Sequence, residues 1–167
     1  MESTYTASRA TLEDWDELEA LRHAAERRLR DMGLAQWSDT ARGLDQMMTR
    51  LDGDEMYLVF DGLHVAGCFA VSTQSDACFW AGDPERDEYI YLYKVMAHPK
   101  WAGMGVGRFI VSFAVREAAA RQAKGLRLDC WKDNPELRRQ WERLGFTYLR
   151  TVDAPGRNTG TLMERRV

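Results

Sequence analysis

Cysteine is scarce in this chain: Cys68, Cys78 and Cys130 are the three among 167 residues. They form no CxxC pair, which excludes a disulfide framework and a thiolate zinc site and points to reduced thiols in a cytoplasmic protein. Histidine is equally sparse. His23, His64 and His98 are scattered without ligand spacing, so no metal is expected. Positive charge has no surplus, with 23 Lys and Arg against 26 Asp and Glu and a net charge of −3. That balance argues against a general nucleic-acid binder, whose phosphate-facing surface is basic. No run of about 18 apolar residues exists, so no membrane span is expected. The first six residues show no basic segment followed by an apolar core, so no signal peptide is expected. Repeats, low-complexity tracts and dividing linkers are also missing, which makes one domain over residues 1–167 the expectation.

Hydrophobic spacing outlines the elements. Thr4 to Arg9 alternates weakly and suits a short first strand. Thr11 and Asp14 suit a helix N-terminus, and Leu18, Leu21, Ala25, Leu29 and Met32 follow at helical spacing up to Gly33. A second helix follows Ser38-Asp39-Thr40, with the stripe Leu44, Met47, Met48 and Leu51, and ends at Asp52-Gly53-Asp54. Met56 to Phe60 and His64 to Thr73 read as an antiparallel pair around the Asp61-Gly62 turn. Residues 74–80 either continue that strand or bend away, and 81–87 form the most loop-like stretch. Tyr89 to Ala97 reads as a buried central strand. A helix carrying Val106, Phe109, Ile110, Phe113 and Ala114 is expected to reach about Ala123. Leu126 to Trp131 is a strand, and Asn134-Pro135 opens a helix through Leu137, Trp141 and Leu144. Phe146 to Val152 and Thr161 to Arg166 complete the order β-α-α-β-β-β-α-β-α-β-β.

The segment joining the central strand to the next helix is Ala102-Gly103-Met104-Gly105-Val106-Gly107-Arg108. Glycine in a helix interior costs about 0.8–1.0 kcal/mol relative to alanine, so three alternating glycines suit a loop that another group approaches closely. The following helix offers unpaired N–H groups and a positive dipole end. Together these describe an anion site suited to phosphate or pyrophosphate. A Rossmann fingerprint beginning at Gly103 would need glycine where Arg108 stands. A Walker A motif would need Gly-Lys-Ser/Thr, which is absent. The alternative is a tight strand-to-helix turn whose glycines serve packing alone.

This loop resembles motif A of the GNAT N-acetyltransferase superfamily, Arg/Gln-x-x-Gly-x-Gly/Ala. Gly105 and Gly107 match its small positions, and Ala102 stands where Arg or Gln is usual. Residues 134–146 resemble motif B, with Asn134, Leu137, Gly145 and Phe146 matching and Trp141 replacing a tyrosine. The element order matches as well. The resemblance implies an α/β fold with a central mixed, mostly antiparallel sheet of six to seven strands and four helices, splayed between strands four and five. It implies acetyl-CoA as cofactor, bound by Val95, Met96, Ala97, Ala102, Gly103, Met104, Gly105, Val106, Gly107, Arg108, Asn134 and Trp141.

The implied reaction is direct attack of a neutral amine on the thioester. Backbone N–H groups near Met96 and Ala97 are the candidate oxyanion donors. The family's acid is often the tyrosine that Trp141 replaces, and an indole N–H is not a practical acid. Tyr148, Tyr91 and Tyr93 are the candidate stand-in acids, the alternative for each being a packing aromatic. Glu88 is the candidate base, with Asp87 beside it. The resemblance places the acceptor near Trp37, Asp87 and Tyr93, and Asp83, Glu85, Asp87 and Glu88 would favour a cation. A small-molecule primary amine is the expected acceptor, with protein N-termini or lysines as the alternative. Two rival readings are a non-catalytic acyl-CoA sensor, which the two departures at Ala102 and Trp141 would suit, and a nucleotide-binding domain with an unusual glycine loop. Many relatives are dimers, so a homodimer is compatible.

Overall fold

A computed structural model describes residues 4–37, 39–53 and 55–167, apart from the side chain of residue 40. Among these residues the strands are β1 (Tyr5–Arg9), β2 (Met56–Asp61), β3 (His64–Ser72), β4 (Ile90–Ala97), β5 (Gly125–Trp131), β6 (Thr147–Thr151) and β7 (Thr159–Arg166). The helices are α1 (Trp15–Asp31), α2 (Thr40–Asp52), α3 (Ala77–Trp80), α4 (Val106–Ala120) and α5 (Pro135–Arg143). The strands form a mostly antiparallel sheet of order β1-β2-β3-β4-β5-β7-β6, in which β4 and β5 are parallel. Their ladder consists of Ile90↔Leu126 and Tyr91↔Arg127.

The chain packs as two compact units, each made of two segments. The first comprises Met1–Ala70 and Lys94–Ile110. Its helices bury the stripes that period 3.6 demands: Leu18, Leu21 and Ala25 on α1, and Met47 and Leu51 on α2. Asp39 caps α2 by accepting from the Arg42 N–H at 3.0 Å. Ser38 and Asp54, which belong to the flanking signals read from sequence, lie outside the described residues. The β2–β3 hairpin turns through Gly62 (φ 59°) and Leu63, closing on the pair Asp61↔His64. A 3-10 turn at Leu12–Asp14 precedes α1, and its entry is fixed by the Thr11 N–H donating to Asp14 Oδ2 at 2.8 Å.

The second unit comprises Val71–Tyr93 and Val111–Val167. Its core gathers Phe79, Trp80, Tyr89, Tyr91 and Leu162. Residues 74–80 bend away from β3: the Asp76 carboxylate accepts from the Cys78 N–H at 2.9 Å and starts the short helix α3. The helix expected to reach Ala123 stops at Ala120. Gln122 takes a left-handed conformation (φ 56°), and the Ala123 N–H closes back on the Ala118 carbonyl at 2.9 Å. That is a Schellman ending built on a non-glycine residue, which explains why no glycine marked it in the sequence.

Candidate cofactor and acceptor site

β4 delivers the chain to the glycine loop. Within β4, Lys94 takes φ 53°, an uncommon conformation for a lysine in a strand. It is held there because the Lys94 carbonyl accepts from the Cys68 thiol at 3.5 Å and its Nζ donates to Gln46 Oε1 at 2.5 Å. Burial pushes the Cys68 thiol up to about 12, against the lowering pull of Arg22 and Lys94. Met96 is buried near the strand end, and the His98 N–H donates to the Ala66 carbonyl at 2.8 Å.

Beyond β4, Pro99–Trp101 forms one 3-10 turn, locked by Trp101 Nε1 donating to Asp61 Oδ2 at 2.9 Å. The loop then reverses through Gly103 (φ 76°) and Gly105 (φ 92°), conformations that a side chain would resist. A Cβ added at either glycine would meet nothing within 4 Å, so this stretch faces open space. Met104 is tied down on both sides: its N–H donates to the Trp101 carbonyl at 3.0 Å, and its carbonyl accepts from the Tyr5 hydroxyl at 3.0 Å. The first amide of α4 to find a carbonyl is that of Phe109, bonded to Gly105 at 3.0 Å. The N–H groups of Gly103, Gly105, Val106, Gly107 and Arg108 have no acceptor among the described residues. Unpaired amides at a left-handed turn and helix start are an arrangement that favours an anion. Gly107 falls inside the first turn of α4 rather than in the loop. Ala102 is half-buried and contributes backbone only, and the exposed Arg108 adds a cation.

In the second unit, Asn134 caps α5 by accepting from the Leu137 N–H at 3.1 Å. Trp141 is buried and packs edge-on against Phe146 at 5.3 Å between centroids. Its Nε1 is buried with no hydrogen-bond partner among the described residues.

The proton-transfer candidates have specific neighbours. Tyr91 is buried, and its hydroxyl donates to the Arg86 carbonyl at 2.7 Å. Burial raises its pKa, against the Arg127 guanidinium, which lowers it. Glu88 is tied to Lys124 Nζ at 2.9 Å, and Glu85 to the same ammonium at 2.7 Å. The Tyr148 hydroxyl pairs with Thr151 Oγ1 at 3.0 Å, and Arg138 lies 4.0 Å above its ring centroid. Tyr93 stacks on Tyr91 at 6.3 Å and donates to the Gln74 carbonyl at 3.0 Å. Asp87 is 86% exposed, with Arg86 Nε 3.7 Å away. Trp37 (φ 60°) lies against the Arg22 guanidinium, 4.7 Å from its ring centroid.

One group of residues escaped the sequence reading. Arg127, 3% exposed on β5, reaches Glu164 at 3.0 Å and Asp83 at 3.2 Å, and stacks 3.8 Å over Tyr89. The signal was an arginine between Leu126 and Leu128 on a buried strand, since a charge there must be paired. Asp83, Glu85 and Glu88 thus meet cations of their own unit. No cluster of metal-ligating side chains occurs among the described residues, and no described helix is long and apolar enough to cross a membrane.

The acetyltransferase (GNAT) family model matches residues 12–146, and the chain belongs to that family. The uncharacterized N-acetyltransferase YesJ of Bacillus subtilis (strain 168) is 25% identical over 157 residues, covering 91% of this chain and 86% of that protein. A GNAT-family acetyltransferase from Listeria monocytogenes 4b F2365 has the same fold, with a TM-score of 0.78 at 21% identity over 98% of this chain and 95% of that one. Another from Streptococcus agalactiae 2603 matches with a TM-score of 0.78 at 14% identity, over 98% of this chain and 95% of that one.

Proposed function

We propose that this protein transfers the acetyl group of acetyl-CoA to the primary amine of a small molecule by direct attack. The observation that carries the reading is the row of unpaired amides at Gly103, Gly105, Val106, Gly107 and Arg108, open on one side and matched in chemistry to a diphosphate. Acetyl-CoA supplies the activated acetyl group. The amides of the loop hold its diphosphate, and Arg108 adds charge. Backbone N–H groups around Met96 and Ala97 are assigned to the developing oxyanion. Val95, Ala102, Met104, Asn134 and Trp141 complete the assigned cofactor contacts, and Trp37, Asp87 and Tyr93 those to the acceptor. Asp83, Glu85 and Glu88 are held at 3.2, 2.7 and 2.9 Å by Arg127 and Lys124, whereas Asp87 is 86% exposed with Arg86 Nε at 3.7 Å, so it is the carboxylate of that loop best able to attract a cationic amine.

Proton transfer needs little from side chains. A thiol of pKa about 8.5 already leaves as a tolerable thiolate. Of Glu88, Tyr91 and Tyr148, only Tyr148 has its acidic or basic group on a neutral hydroxyl partner, rather than on an ammonium or a main-chain carbonyl, so it is the side chain assigned to donate.

Calorimetry with acetyl-CoA, ATP and NAD tests the cofactor, and thiol release over a panel of amines tests the reaction. Binding of acetyl-CoA alone of the three, with turnover on a small amine, is the expected result. No binding of acetyl-CoA would remove the reading. Binding without turnover on any amine would favour an acyl-CoA sensor, which the buried, partnerless indole of Trp141 in the acid's place also suits.

A further inference from the structure

A recess of about 370 Å³ lies in the first unit, lined along α1 by Glu17, Ala20, Leu21, Ala24 and Arg27 and closed by His64, Val65, His98, Lys100 and Trp101. Its lining mixes apolar and polar side chains, and four of the ten are basic or imidazole, against the single acid Glu17. Neither the Arg27 guanidinium nor the Lys100 ammonium has a hydrogen bond or ion pair with any described residue. The imidazoles are oriented. His98 Nδ1 accepts from the Lys100 N–H at 3.1 Å, so the neutral ring carries its proton on Nε2 and is a donor there. Trp101 holds both rings, at 5.3 Å from His98 and 6.2 Å from His64 between centroids, and is itself fixed by Asp61. Burial and the Lys100 charge both lower the His98 pKa. Two cations held by no carboxylate, set in one recess, favour a bound anion.

We propose that this recess is an anion site separate from the glycine loop, and that it takes the phosphate group of a small phosphorylated compound. Arg27 offers a planar fork for two phosphate oxygens and Lys100 a point charge. His98 Nε2–H adds a neutral donor, and the Trp101, Ala20 and Ala24 surfaces accept the apolar remainder of an ester. The site does not depend on the acetyl-CoA reading, since none of these side chains belongs to the loop that carries it.

Titration of inorganic phosphate and of glycerol phosphate into the protein saturated with coenzyme A tests the proposal by calorimetry, with the histidine ring resonances followed by NMR. Saturation removes the glycine loop as a competing site. One bound anion per chain is expected, with His64 and His98 shifted. Arg27→Gln and Lys100→Gln, both exposed positions, are each expected to weaken it about tenfold, the loss of one charge-assisted hydrogen bond. Tighter binding of the ester than of free phosphate would assign the Trp101, Ala20 and Ala24 surfaces to an organic remainder. Equal binding would keep the site and confine it to the phosphate group. If the saturated protein binds neither probe, or the two variants bind both as well as the wild type, the proposal is overturned. Should coenzyme A itself fail to bind, the same titration on the free protein, read at His64 and His98, still decides it.

Discussion

Arg22 donates through Nε to Glu26 Oε1 at 2.5 Å, one helical turn apart, with the side chains only 2% and 5% exposed. The pair is out of water, and its guanidinium fills the space a side chain at Gly43 would need, where an added Cβ would come within 2.6 Å of the guanidinium carbon. Removing one partner of a buried pair leaves a charge without compensation, at a cost of about 3–5 kcal/mol. Glu26→Ala should therefore lower unfolding stability by an amount in that range in urea titration, whereas the double change Arg22→Met with Glu26→Leu should recover most of it. A single variant as stable as the wild type would mean that the pair is hydrated in solution.

Gly105→Val places a β-branched residue at φ 92° on a loop with open space around it. The backbone must shift out of the left-handed region, turning the amides of residues 105–108 away from a common focus. Weakening of acetyl-CoA binding by more than about tenfold is expected, with only about 1–2 kcal/mol of stability lost. Calorimetry and thermal unfolding on the same sample separate the two effects.

Asp76 is pushed up by burial, but its bonds from Arg157 and from the Cys78 N–H outweigh this and hold the carboxyl below its usual value. A carboxylate depressed in the folded state stabilises above its unfolded pKa, and the contribution is lost as pH falls through the folded value. Asp76→Asn should thus lower the melting temperature at pH 7 and lower it much less near pH 3. A gap that does not shrink between these pH values would show that the charge is not the source.

Reactivity of the three thiols should divide sharply. Cys68 and Cys130 are buried and their thiols are pushed up to about 12 by that burial, whereas Cys78 is exposed. Since the thiolate is the reactive form, a disulfide reagent at neutral pH should modify Cys78 alone in the folded protein, and all three after denaturation. Fast modification of a second cysteine would contradict the packing around β3 or β5.

Trp141→Phe removes a buried N–H that has no partner. An unsatisfied donor costs about 1–3 kcal/mol, so the variant should keep its stability despite the smaller ring. The turnover number should stay within about threefold of wild type if no acid acts at this position, since general acid catalysis is worth about 10²–10⁴-fold. A loss in that larger range would make the indole part of the reaction.

Secondary structure was largely readable because it rests on local chemistry. The stripes of α1 and α2, the Gly62 turn and the Pro135 helix start all announce themselves within a few residues. The turn through Gly103 and Gly105 was readable for the same reason, whereas Gly107 lies in the first turn of α4. The end of α4 was misjudged because Gln122 adopts the glycine-like conformation there, a choice made by the 118–123 hydrogen bonds rather than by residue type. The helix at Ala77–Trp80 was equally unmarked, since a single Asp76 cap over four residues lies below any periodic signal.

Period and glycine spacing along the chain thus determined most of the element order and marked the turn through Gly103 and Gly105, because each depends on neighbours in sequence. Which charges are spent and which are free was decided only by tertiary structure. Glu85 and Glu88 are drawn to Lys124 across 39 and 36 residues, and Asp83 to Arg127 across 44. Arg27 and Lys100, 73 residues apart, line one recess, and neither head group is paired with a carboxylate of the described residues. Coulomb interactions fall with distance in space and take no account of distance along the chain, so the electrostatics of the site had to wait for the fold.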